Sequence, residues 1–374
     1  MGEVITRDLV RKPEDSDLIL GTAVTLQILG GITAAGLSIV GIHLIAPGQP
    51  LMHLMVEILA LKFVFNSLQP IANWFESRVA SKYVVLAEQW AFLLIVCLRC
   101  GLVIWQAPIL AFAIAIVLES VLYGMGLIFF YTQQHQSIWR WHTNLSKVGY
   151  LFQESWPLIL PSTAVVIYLN VDQIMLGTIV NSHAVGIYAS AAALSEATAF
   201  LPVIVGSSLY PRIVQSRQLE TRVYHQRLQG YYDLNGLIAY GLIAVLIPSS
   251  GFLIHHLYGG SYHAAVPIFN VHIVSCLFTF LGIAQSHWIV SEGLQKYNFY
   301  SRLMGLLSNV GINLVLIPRY GGMGAAIATL ISYAIGGYLF FWCIPRTRDN
   351  AARMTSALTV PLRLPQILRH GLHL

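Results

Sequence analysis

Ten charge-poor apolar runs, each long enough to span a bilayer, constrain this chain more than any other feature. They lie at 18–46, 51–72, 84–105, 107–131, 155–181, 184–211, 234–258, 266–290, 297–317 and 323–344, between short polar or Pro/Gly stretches. About 20 apolar residues of helix cross the hydrocarbon core. Lipid offers backbone groups no hydrogen-bond partner, so such runs are helices or parts of a closed barrel. None has the period-two alternation of barrel strands, which leaves helices. Composition agrees, with 56% of the 374 residues hydrophobic and 10% charged, where soluble domains carry about 25% charged residues. The net charge of +5 is scattered between apolar segments, which excludes a nucleic-acid face. Four cysteines make no disulfide framework.

The basic residues orient the helices. With the N-terminus in the cytoplasm, Arg7, Arg11, Lys12, Arg78, Lys82, Arg140 and Lys147 all fall on inside segments. So do Arg212, Arg217, Arg222, Arg227, Lys296, Arg302, Arg346, Arg348, Arg353, Arg363 and Arg369. Arg319 falls on an outside turn, and Lys62 and Arg99 lie within spans. This is the positive-inside pattern, and it places both termini in the cytoplasm. The first seventeen residues are polar and lack the apolar stretch of a signal peptide. Segment 132–154, with Trp139, Trp141, Leu145, Val148 and Phe152, reads as an interfacial amphipathic helix linking two halves. Segment 212–233 sets four arginines against anionic headgroups. The chain beyond Arg346 is expected to be a mobile cytoplasmic tail.

An internal repeat organises the spans. Trp74, Ser77 and Lys82-Tyr83 recur as Trp288, Ser291 and Lys296-Tyr297, a shift of 214 residues. The same shift carries the first four runs onto the last four. It preserves orientation, so the halves are expected to be parallel repeats about an axis along the membrane normal. The runs at 155–181 and 184–211 have no partner under it. The expected organisation is a four-helix bundle at 1–131, the linker at 132–154, a six-helix bundle at 155–344 and the tail at 345–374. Two further helices of a symmetric design would precede residue 1.

An ionisable side chain at mid-bilayer costs at least ~2.5–3.5 kcal/mol on insertion scales, so each one needs a reason. The deep ones are Glu57, Lys62, Arg99, Glu119, Asp172 and Glu196. Lys62 and Arg99 would draw an anionic headgroup into a water-filled cavity. Asp172 and Glu196 would act as ion- or proton-coupled switches, or as salt-bridge partners that rearrange between states. The bland alternative makes all of them structural clips between helices. Pro157, Pro161 and Pro202 share the two helices of Asp172 and Glu196 and would supply bending points.

Signs of chemistry are weak. Cys97-Leu98-Arg99-Cys100 has redox or metal spacing but sits in an apolar span without further ligands, which favours packing. The histidines are scattered, and the glycine pairs follow no strand, so neither a metal nor a nucleotide site is supported. No nucleophile–base set appears, and no outside loop is long enough to build a catalytic domain. Transport fits the sequence better than catalysis, with no catalytic residues, metal or cofactor.

The runs Tyr168-Leu-Asn-Val-Asp172-Gln-Ile-Met-Leu-Gly177, Ala184-Val-Gly-Ile-Tyr188, Leu194-Ser-Glu196, Pro202 and Ser208-Leu-Tyr-Pro211 resemble the O-antigen and capsule flippases. These form the polysaccharide-transporter branch of the superfamily that includes the multidrug and toxin extrusion (MATE) antiporters. Leu257-Tyr-Gly259, Trp288, Asn309, Asn313 and Leu316-Ile-Pro318 through Thr329 extend the resemblance, as does Asp8-Leu-Val-Arg11 through Thr22. It implies an all-α membrane protein with a MATE-like fold, here ten helices in bundles of four and six, against the family's twelve or fourteen. It implies flipping of undecaprenyl-pyrophosphate-linked oligosaccharide across the bacterial cytoplasmic (inner) membrane by alternating access. Lipids and other membrane proteins of polysaccharide assembly would be the partners, with no nucleic acid. An ion-coupled small-molecule antiporter of the same fold, a membrane glycan enzyme and an inactive truncated fragment are the alternatives.

Overall fold

The computed structural model describes residues 1–216 and 221–370, without the side chains at 3, 145, 157–165, 211 and 366–370. Arg217, Arg369, Pro157 and Pro161, all used in the sequence argument, therefore lie outside what is described. Among the described residues there are helices and turns and no strands. Contacts divide the chain into two compact units, Met1–Leu160 and Pro161–Leu374.

The first unit holds α1 (Gly2–Arg11), α2 (Ser16–Ile45), α3 (Pro50–Phe65), α4 (Gln69–Ser77), α5 (Lys82–Ile104), α6 (Ile109–Gln133) and the start of α7 (Leu145–Ile179). The polar N-terminus conceals an amphipathic helix. Val4, Ile5 and Leu9 of α1 fall on one face and bury against Ile19, Leu20, Ile71, Trp74 and Phe75. Charge also holds the helix, with Asp8 buried on that same face. Arg7 donates to Glu154 at 3.0 Å and to Tyr150 at 2.9 Å, and Lys147 meets Asp8 at 3.2 Å. Hydrogen bonds to Glu154 first, then Asp8, push the Arg7 guanidinium above its usual pKa. Leu37, Leu44, Leu94 and Ile104 point outward, as a lipid-facing surface requires.

Segment 132–154 differs from expectation. It is not a separate interfacial helix: a turn leads to a 3-10 turn at Ile138–Arg140, and from Leu145 the chain is already α7. Trp141 is drawn inward, donating its indole N–H to the Tyr131 hydroxyl at 3.1 Å, while Trp139 stays outside. The segment closes directly over α2. A Cβ on Gly21 would stand 2.5 Å from the His142 carbonyl oxygen, so only glycine fits there.

The second unit continues with α8 (Ser182–Glu196), α9 (Phe200–Ser216), α10 (Thr221–Tyr258), α11 (Ala265–Val274) and α12 (Cys276–Ser291). It ends in α13 (Gln295–Ala334), α14 (Phe340–Cys343), α15 (Arg348–Leu358) and α16 (Val360–His370). α13 is two helices that meet at Gly321, whose φ of 53° and ψ of −132° break the helical path. A π turn at Ile335–Leu339 follows it. Eight stretches of the described residues are long and apolar enough to cross a membrane, and Val166–Ile179 is apolar but shorter. The chain after Arg346 corrects the expectation of a mobile tail. Asn350, Ala351, Met354, Ala357 and Val360 are buried, and Arg363 pairs with Asp233 of α10 at 2.7 Å.

The 214-residue repeat has an atomic counterpart. At the end of α4, Ala80 N–H bonds Phe75 C=O and Val79 N–H bonds Glu76 C=O; after α12, Leu294 bonds Ile289 and Gly293 bonds Val290. Both are the Schellman closure of a helix C-terminus. The residue at its left-handed position is Val79 (φ 55°) in one copy and Gly293 (φ 69°) in the other. The side chains repeat too. Ser77 and Ser291 bond back to Trp74 and Trp288, and Lys82 and Lys296 lie over Tyr83 and Tyr297 at 4.9 and 5.2 Å.

Candidate functional site

The second unit gathers a buried polar cluster around Asp172, which is 6% exposed. α7 brings Asp172, α8 brings Tyr188, and the two halves of α13 bring Asn313 and Thr329. Tyr188 donates its hydroxyl to Asp172 Oδ2 at 2.8 Å, Thr329 donates to the same oxygen at 2.5 Å, and Asn313 donates to Oδ1 at 2.5 Å. Behind them Asn313 bonds Asn309 at 2.9 Å and Ser332 bonds the Thr329 carbonyl at 2.9 Å. The Gly321 break makes this possible, because it folds the second half of α13 back so that Thr329 and Asn313 reach one carboxylate.

No basic side chain among the described residues pairs with Asp172, so three neutral donors alone stabilise it. An ionised carboxylate in such a place costs several kcal/mol even after relaxation, and the donors offset part of that. Two polar atoms nearby are buried without hydrogen-bond partners, Asn313 Oδ1 and His272 Nδ1, the His272 ring packing edge-on against Tyr188. Carboxylate, amide and hydroxyl oxygens gathered in this way are the ligand types that suit a hard cation. No group of three or more His, Cys, Asp or Glu side chains gathers among the described residues.

The other sequence-derived residues lie elsewhere. Arg99 of α5 pairs with Glu119 of α6 at 2.6 Å, each side chain about a third exposed, which joins two of the deep charges named from sequence. Lys62 of α3 is exposed and makes no hydrogen bond or ion pair among the described residues. It shares a helix face with Asn66, four residues on. Asn66 lines a cavity of about 460 Å³ with Gln27, Ser67, Gln69 and Phe63. Glu196 is exposed at the end of α8, where a 3-10 turn leads into α9, and it has no partner of this kind. Asp172 and Glu196 are thus not brought onto one hydrogen-bonded site. Tyr188, Asn309, Asn313 and Thr329 carried no role in the sequence argument. Their signal was the polar pair Asn309/Asn313 one turn apart in an apolar helix.

The sequence pattern of the family described as "Polysaccharide biosynthesis protein" matches residues 4–267. A probable flippase, AglR of Haloferax volcanii, is 28% identical over 188 residues, covering 48% of this chain and 38% of AglR. An uncharacterised membrane protein of Methanocaldococcus jannaschii is 26% identical over 196 residues, covering 49% of this chain and 42% of its own length. The matched part thus spans about two fifths of those relatives. Among solved structures, a lipid II flippase, MurJ, has a TM-score of 0.71 at 16% identity over 96% of this chain and 78% of its own. A multidrug resistance MATE family transporter also scores 0.71, at 14% identity over 95% and 86%. At these identities the likeness is one of fold.

Proposed function

The chain belongs to the polysaccharide biosynthesis protein family, and from that membership we propose that it moves a lipid-linked oligosaccharide across the cytoplasmic membrane. The similarity to a probable flippase carries the reading. The substrate is an oligosaccharide on undecaprenyl pyrophosphate, carried across by alternating access through ten crossings with both termini in the cytoplasm. Lys62, free beside the polar cavity of the first unit, meets the diphosphate. Arg99 acts with Glu119 as a pair that holds α5 to α6. Asp172 takes up and releases the coupling proton or cation, since no basic side chain among the described residues pairs with it and two buried polar atoms without partners lie beside it. Glu196, free at the α8–α9 break, is a second acid along that path.

Deletion and complementation test the reading. Loss of the gene should remove surface polysaccharide and leave lipid-linked sugar on the cytoplasmic face, and the Lys62→Ala variant should restore neither. Normal surface glycan after deletion rejects the flippase reading. The equal likeness to a MATE transporter favours a second reading, ion-coupled efflux of small molecules. That reading expects drug sensitivity with unchanged glycan.

A further inference from the structure

Arg302 is a charged residue of the second unit that the proposed function does not use. It sits on the first half of α13, seven residues beyond Gln295, about 10 Å along the helix at 1.5 Å per residue. Two adjoining cavities of about 330 and 400 Å³ share Arg302 and Ile283 in their walls. Ligand pockets begin near ~300 Å³. Among the described residues, neither lining contains Asp or Glu. The Arg302 side chain is exposed and makes no hydrogen bond or ion pair among the described residues. A guanidinium offers five donors in a fixed fork and no acceptor, so an unpaired one in a carboxylate-free cavity selects an anion, phosphate above all.

The surroundings add neutral donors. Asn298, one turn before Arg302, bonds the Ser286 hydroxyl at 2.8 Å, and His287 follows Ser286 in the wall of the second cavity. The His287 Nδ1 is engaged with the Tyr231 hydroxyl at 3.1 Å, which leaves Nε2 as the ring's remaining polar atom. The π turn at Ile335–Leu339 packs against the helix that carries Arg302, where Ser301 donates its hydroxyl to the Gly336 carbonyl at 2.9 Å, and its Gly336 and Gly337 line the first cavity. π turns are rare and recur at functional sites. Here the turn cannot carry bulk, since a Cβ on Gly336 would stand 2.8 Å from the Ser301 carbonyl oxygen. Leu169, Phe278, Ile283 and Phe341 supply an apolar part of the wall, beside the hydroxyls of Tyr168, Thr279, Ser301 and Tyr333.

We propose that the cavity at Arg302 binds the phosphate linkage of a polyprenyl-diphosphate substrate, its apolar wall taking the adjoining prenyl units. The ligand's identity rests on the flippase reading, while the anion site rests on the cavity itself. A phospholipid headgroup carries the same phosphate chemistry, so the test has an arm for each source. The full chain in phosphatidylcholine nanodiscs is titrated calorimetrically with geranyl pyrophosphate, and again in discs containing phosphatidylglycerol.

Wild-type protein binds the probe. Arg302→Gln weakens binding about tenfold or more, as loss of a charge-assisted contact does, and Arg302→Lys by less, because charge remains without the fork. Ile283→Trp, which fills the space between the cavities and leaves every charge in place, also weakens binding. Size-exclusion profiles establish that each variant is folded. An unchanged affinity in Arg302→Gln, or no binding by the wild type, overturns the site. Displacement of the probe by phosphatidylglycerol overturns the substrate assignment. If Arg302-dependent binding persists while deletion leaves glycan normal, the flippase reading fails and the anion site stands. If deletion removes glycan and Arg302→Gln binds normally, the site fails and the reading stands.

Discussion

The Asp172 carboxylate is 6% exposed, meets three neutral donors and pairs with no basic side chain among the described residues, and the proposed coupling role rests on that environment. Asp172→Asn keeps the shape and removes the charge. The expected result is loss of glycan export by tenfold or more, with membrane abundance and thermal stability near wild type. Export at the wild-type level would remove Asp172 from coupling. Arg99 and Glu119 make the opposite case, because each neutralises the other inside an apolar helix pair. Arg99→Gln alone strands a carboxylate, which costs at least ~2.5–3.5 kcal/mol near mid-bilayer. The double variant Arg99→Gln/Glu119→Gln should recover most of the folded protein lost in the single one. A double variant no better than the single one would argue that Arg99 acts by its own charge.

Within an element, the two copies of the Schellman turn are a natural comparison. Val79 holds a left-handed conformation that a β-branched residue adopts at a cost of about 1–2 kcal/mol, while its counterpart is Gly293. Val79→Gly should therefore raise the melting temperature of the detergent-solubilised protein, and Gly293→Val should lower it. Equal and unchanged midpoints would mean that these turns do not limit stability. α15 is the other element whose role the structure reverses, from loose tail to core. Met354 is fully buried in a cluster with side chains of α9, α10 and α12, so Met354→Ala should destabilise the protein by about 2–5 kcal/mol. A thermal midpoint within a degree of wild type would return α15 to the status of a tail.

At the scale of the whole molecule, orientation is the testable property. In a cysteine-free background, Ser81→Cys and Gln295→Cys should react with a membrane-impermeant maleimide only from the cytoplasm. Gln49→Cys and Ser261→Cys should react only from outside. Labelling of Ser81→Cys from outside would overturn the positive-inside assignment of the first unit. The helical membrane architecture was legible because hydrophobic run length is a physical requirement that every crossing must meet separately. The repeat was legible because two identical turns need similar residues at similar spacing, and Trp74 and Trp288 mark them.

The amphipathic α1 was not legible, since Val4, Ile5 and Leu9 form a face only once α4 is there to cover it. Segment 132–154 misled for a related reason: its aromatic residues suit a membrane interface as well as they suit Tyr131 and α2. By itself the sequence determined which segments meet lipid and which residues carry charge into it, because those follow from local composition. Only the tertiary structure decided which charges are neutralised. Pairing depends on helices far apart in sequence, and it gave Arg99 a carboxylate while leaving Asp172 and Arg302 without a partner of opposite charge among the described residues.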